Sequence, residues 1–104
     1  MKKLSDIQER NQTLMTRTIN DTIAENEQFA KEVTEAIQRH FNNDFGDLVQ
    51  EDIEANMRGI ETDLEGDRVL SKYSTCEGNI YIITELYQAE GFDIVTNILF
   101  CDEY

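Results

Sequence analysis

The chain has 104 residues, 39% of them hydrophobic, and 22 acidic against nine basic side chains give a formal net charge of −13. That length holds one modest core and no second domain. Charge of this sign and size argues against nucleic acid or an anionic membrane as a direct ligand, since both would be repelled.

The imbalance is uneven. Residues 1–40 carry six bases and seven acids, whereas residues 41–104 carry fifteen acids and only Arg58, Arg68 and Lys72. There is no proline, so Gly, Asn and Asp must end the elements. Cys76 and Cys101, in a chain without a secretory or membrane-length apolar run, fit two free thiols in a reducing cytoplasm.

Leu4, Ile7, Asn11, Leu14 and Thr18 recur at helical spacing, and Ser5-x-x-Gln8 reads as a capping box, which predicts a first helix over 5–19. Thr22-x-x-Glu25 offers a second cap, and Ala30, Val33, Ile37 and Phe41 predict an amphipathic helix over 21–41. Only Asn20-Asp21 separates the two, so one continuous helix is an open alternative, and residues 1–41 are expected to be helical throughout. Asn42-Asn43-Asp44 with Gly46 ends this region. Asp47-x-x-Gln50 is expected to cap a short helix over 47–61 whose apolar face is Ile53, Met57 and Ile60.

From Asp67 the period changes. The segments DRVLSKYST, NIYIITELY and FDIVTNILF are rich in β-branched and aromatic residues, and CEGN between the first two marks a hairpin turn. They predict a three-stranded antiparallel meander over 67–101. The middle strand is apolar on both faces, so helices would cover one side and a partner or a second copy, as a homodimer, the other. The expected architecture is thus a single α+β domain over 1–104: amino-terminal helices and a short helix packed on that sheet.

Candidate chemistry is sparse. Asp44-Phe45-Gly46 matches the magnesium-binding tripeptide of kinases, but no phosphate loop, strand lysine or catalytic loop accompanies it, so Phe45 is expected to pack, Gly46 to turn and Asp47 to cap. Glu61, Asp63, Glu65 and Gly66 occupy the first, third, fifth and sixth places of a calcium loop, with Lys72 where the bidentate glutamate belongs. His40, the only histidine, is expected in a last helical turn, where its charged form suits the dipole. One histidine and two distant cysteines fall short of a zinc site. No catalytic residue, cofactor or metal is therefore assigned, and an enzyme is not expected.

What remains is the acidic field. Between Asp44 and Asp67 nine acids face Arg58 alone, and Glu51, Glu54 and Glu61 fall on one helical stripe at axial spacings of about 4.5 to 10 Å. Such a row is comparable with phosphate spacing along a nucleic-acid strand and can occupy a basic groove. A solvated face that only confers solubility is the alternative.

The segments RHFNNDFGDL, GDRVLSKY, IYIITE and TNILFCDEY resemble a group of small proteins of phages, plasmids and other bacterial mobile elements, some labelled restriction-system subunits although they have no methylase motif. The resemblance runs from Arg39 to Tyr104. Those proteins carry tryptophan in place of Phe45 and Tyr81 and proline in place of Cys101, and the loop LYQAEGFD is longer here. The resemblance implies a mobile-element origin, similar in kind to anti-CRISPR and other anti-defence inhibitors. The expected partner is a basic nucleic-acid-binding protein such as a CRISPR effector, contacted by Asp44, Asp47, Glu51, Asp52, Glu54, Glu61, Asp63 and Glu65. The alternative is a non-enzymatic interaction or regulatory module.

Overall fold

The structure, a computed structural model, describes residues 2–7, 11–89 and 92–104, without the side chains of 87–89, 92 and 93. A 3-10 turn at Leu4–Ile7 leads into β1 (Asn11–Met15), α1 (Arg17–Glu25), α2 (Glu27–Phe41), α3 (Gln50–Glu61), β2 (Val69–Thr75), β3 (Gly78–Ala89) and β4 (Phe92–Phe100). The fold is α+β. Its sheet has four strands in the order β1-β4-β3-β2, antiparallel except for the parallel pair β1 and β4.

The predicted helix over 5–19 is therefore replaced, and the sheet is mixed rather than three-stranded and antiparallel. The proposed stripe is interrupted by polar Asn11 and Thr18, so a helix there would have too short an apolar face to reward it, and in the fold Leu4 is buried while Leu14 is 42% exposed. The edge of β4 supplies what that segment lacks, a row of backbone partners from Asn11↔Ile94 to Met15↔Ile98. Thr16, extended at φ −64 and ψ 158, ends the strand and caps α1 by accepting from the Ile19 N–H at 3.2 Å. Gln8 of the proposed capping box lies outside the described residues, as do Glu90 and Gly91 of the longer loop.

The break between α1 and α2 falls at Asn26, not at Asn20-Asp21. Asn26 leaves the helical region (φ −138), its Oδ1 accepts from Phe29 N–H at 3.1 Å, and its Nδ2 donates to Glu77 in the β2–β3 turn at 2.6 Å. The kink lets Ile19 of α1 and Phe29, Val33 and Ala36 of α2 converge on Tyr73, Ile80, Ile82 and Ile98. A second apolar cluster joins Leu4, Phe41, Phe45, Ile60, Leu64, Val69 and Ile94.

All these strand residues alternate onto one face of the sheet. The opposite face carries Leu70, Lys72, Tyr81, Ile83, Val95, Leu99 and Leu14. Ile83 and Val95 at its centre are only 5% exposed. The Tyr104 ring meets Tyr81 edge-on at 5.4 Å, and the Arg68 guanidinium lies 5.3 Å from the Tyr104 centroid, so the carboxyl-terminal turn shields part of this face.

Candidate functional site

All eight acids singled out from the sequence are exposed. The sheet edge determines how they are displayed. The Asn56 side chain of α3 donates to Leu70 C=O at 2.7 Å and accepts from Leu70 N–H at 2.9 Å, so α3 is pinned along the outer edge of β2. With Ile60 buried and Ile53 and Met57 packed on the second cluster, helical geometry turns Glu51, Glu54 and Glu61 outward within about 80° of one another. Arg58 lies inside the same stripe, yet no ion pair to a glutamate forms among the described residues, which pair Lys2 with Asp63, Arg17 with Asp21 and Arg39 with Asp44. Asp52 lies about 100° round the helix from Glu51, where it lines a shallow cleft of about 190 Å³ with Ala55, Asn56, Asp67, Arg68 and Leu70.

Three of the eight already have partners. Arg39 donates to Asp44 from Nε at 2.8 Å and from Nη2 at 3.2 Å, which holds the Asp44 carboxyl below its ordinary range and raises Arg39 in turn. Asp47 accepts from the Ser74 hydroxyl at 3.1 Å, and Asp63 from Lys2. Asp47 therefore does not cap α3; Val49 stands at that position without a side-chain bond. Glu51, Asp52, Glu54, Glu61 and Glu65 have no side-chain hydrogen-bond or ion-pair partner among the described residues.

The segment around Asp44-Phe45-Gly46 serves the fold. Phe45 is buried, its C=O accepts from Lys72 N–H at 3.0 Å, and Asp47 N–H donates to Lys72 C=O at 2.8 Å, a one-residue parallel bridge that closes the β2 edge. Gly46 sits at φ +74, and a Cβ there would fall 2.0 Å from the Lys72 carbonyl oxygen, so no other residue fits. The Tyr73 hydroxyl donates to Asp44 C=O at 2.6 Å beneath, and burial pushes its pKa up to about 12.

His40 departs furthest from expectation. It lies in the last turn of α2 as expected, yet it is no charged dipole cap: it is wholly buried, and its ring nitrogens meet the Ser71 hydroxyl (Nδ1, 2.6 Å) and the Thr84 hydroxyl (Nε2, 2.8 Å). Thr84 meets Thr96 at 2.7 Å, and Thr96 donates to Asn11 Oδ1 at 2.8 Å. Because the Thr96 proton goes to Asn11, Thr84 must donate to Thr96 and accept from His40. The imidazole thus carries its proton on Nε2 and accepts from Ser71 on Nδ1. One chain of donors crosses all four strands. Burial lowers the His40 pKa to about 3, so the ring is neutral. A serine 2.6 Å from a histidine invites comparison with a hydrolytic dyad, but Ser71, His40 and Thr84 are all fully buried, which leaves no path for a substrate to the Ser71 oxygen. The alternation of small hydroxyl residues into an apolar sheet face was the sequence signal for this ladder.

Among the described residues no cluster of three or more potential metal ligands occurs, the Glu61–Lys72 loop included. Cys76 and Cys101 are free, and both thiols are pushed up, Cys76 chiefly by its hydrogen bond to Glu32 and Cys101 by burial, so neither is activated as a thiolate. Among the described residues no helix is long and apolar enough to cross a membrane. No family model matches the chain, and neither a curated protein nor a solved structure matches it significantly.

Proposed function

We propose that the protein is a stoichiometric inhibitor of a bacterial nucleic-acid-binding defence enzyme, of the CRISPR-effector kind, which it blocks by presenting an acidic helix to a basic groove. The observation that carries this reading is the stripe Glu51, Glu54 and Glu61 on α3, exposed, without a side-chain partner among the described residues and mounted on a helix fixed to the sheet by Asn56. The helix backbone beneath the row is fixed, so only the side chains lose freedom on binding, and the carboxylates can meet cationic side chains spaced for phosphates. Asp63 and Glu65 in the following loop extend it, whereas Asp44 and Asp47 contribute charge from side chains already engaged in the fold.

Reversal of Glu51, Glu54 and Glu61 to lysine tests the proposal, because among the described residues none of the three holds a partner whose loss would unfold the chain. The triple variant should keep its circular dichroism and urea midpoint and lose its capacity to displace DNA from a purified effector. Undiminished displacement would remove this surface as the contact.

The second reading, an interaction module that binds through apolar surface, draws on the half-buried rim of Leu70, Tyr81 and Leu99 around Tyr104, itself 63% exposed. Ionic strength separates the two. Contact through α3 weakens steeply between low and high salt, because the screening length is about 10 Å at 0.1 M, and contact through the rim does not.

A further inference from the structure

The two edges of the sheet are treated differently. The β2 edge is closed at Leu70 by Asn56 and at Lys72 by the Phe45–Asp47 strap. The β1 edge has no pairing strand among the described residues. Thr16 N–H donates to Ile98 C=O, so alternation turns the backbone groups of Gln12 and Leu14 toward β4 and those of Asn11, Thr13 and Met15 outward. Among the described residues none of these outward groups has a backbone partner. The strand carries neither proline nor charge, the usual protections of an exposed edge. Leu14 and Met15, 42% and 39% exposed, are adjacent on it.

We infer that β1 is a dimerisation edge whose occupant is β1 of a second copy. An antiparallel pair centred on Thr13 is self-complementary: Thr13 faces Thr13 of the partner subunit, and Asn11 faces the partner's Met15. All three outward residues then become hydrogen-bonded pairs, with about six backbone bonds across the two-fold axis. The sheet becomes eight-stranded, and the two Leu14 side chains lie diagonally across the axis on its more open face. Charge favours this site over the acidic α3 face. Two copies at −13 each repel, and β1 is an uncharged stretch that joins them while α3 of each copy stays at the far edge of its own sheet.

Sedimentation velocity across a concentration series and two variants test the pairing. Thr13→Pro removes an outward N–H and leaves the bonds to β4 untouched, so the variant should keep native circular dichroism and sediment as a monomer at concentrations where the parent is dimeric. In a Cys76→Ser, Cys101→Ser background, Thr13→Cys places two thiols on Cα atoms about 5.5 Å apart, within disulfide range, and mild oxidation should give a covalent dimer that Thr18→Cys does not. Salt should raise the dimer fraction by screening the repulsion, the opposite of its effect on binding through α3. A parent chain that stays monomeric at all concentrations, a dimer that survives Thr13→Pro, or equal cross-linking at positions 13 and 18 would each overturn the inference. If Thr13→Pro unfolds, the cross-linking comparison decides alone.

Discussion

Neutral, buried His40 makes the fold sensitive to acid in a window that can be calculated. The unfolded imidazole titrates near 6.5 and the folded one near 3, so the unfolded chain binds the extra proton first. The contribution is fully present above pH 6.5 and is lost as pH falls toward 3. At pH 5 the unfolded histidine is almost wholly protonated and the folded one is not, which costs about 2 kcal/mol, rising to about 4 kcal/mol at pH 3. The carboxylates also titrate over this range, and relief of their repulsion acts in the opposite direction. A variant that shares them isolates the histidine: in His40→Gln, Oε1 can accept from Ser71 and Nε2 can donate to Thr84, as the imidazole does. Urea unfolding of both proteins at pH 7.5, 6 and 5 should show the parent's advantage over the variant shrinking by about 2 kcal/mol between the ends of that series. A difference that stays constant, or a folded His40 whose ring proton titrates above pH 5 by NMR, would refute the account.

Long-range nitrogen correlation spectra should show His40 as the Nε2–H tautomer, with Nδ1 as the unprotonated acceptor; the reverse assignment would break the derived proton order. Gly46→Ala should destabilise by about 2 to 5 kcal/mol, from the left-handed backbone and the clash with the Lys72 carbonyl together, and an unchanged urea midpoint would contradict the strap geometry. Asn56→Leu should cost about 2 to 3 kcal/mol by leaving Leu70 N–H and C=O unpaired, and the Leu70 amide should exchange faster than its neighbours. Thr16→Ala should cost about 1 kcal/mol through the lost cap, with a normal midpoint counting against that assignment.

The readable part of the sequence was the part with a period. Ala30, Val33, Ile37 and Phe41 marked α2 to its last residue, and the β-branched runs after Asp67 placed β2, β3 and β4 within a few residues of their ends. The acids of α3 were legible as an exposed stripe because Ile53, Met57 and Ile60 define the opposite side. Asn-Gln-Thr-Leu-Met has no such period; its strand conformation is set by a partner more than eighty residues away, and local spacing carries no trace of it. Asp47 shows the same limit from the other side. Its place three residues before a helix is a capping signal, but the β2 edge lies close enough for its backbone to bridge Lys72 and its carboxylate to take Ser74. A tertiary contact thus overrode a local preference.

The polar ladder explains how so weak a strand finds its place. Apolar alternation fixes register only where one face is buried, and β1 is too polar for that to choose among positions along β4. Thr96 chooses instead. It is fully buried, and its proton has Asn11 Oδ1 as acceptor. A slip of one residue turns Asn11 to the other face and leaves the hydroxyl unpaired, at a cost of about 1 to 3 kcal/mol. A slip of two residues can bring Thr13 to that place, with a side chain one bond shorter than the amide it replaces. The cost does not stop at Thr96, because Thr84, His40 and Ser71 each donate in sequence to the next acceptor, and loss of the terminal acceptor reorients the whole chain. The register that places Asn11 correctly is also the one that turns Asn11, Thr13 and Met15 outward. The same buried hydrogen bonds that anchor β1 to its own sheet therefore determine which backbone groups it offers to a second copy.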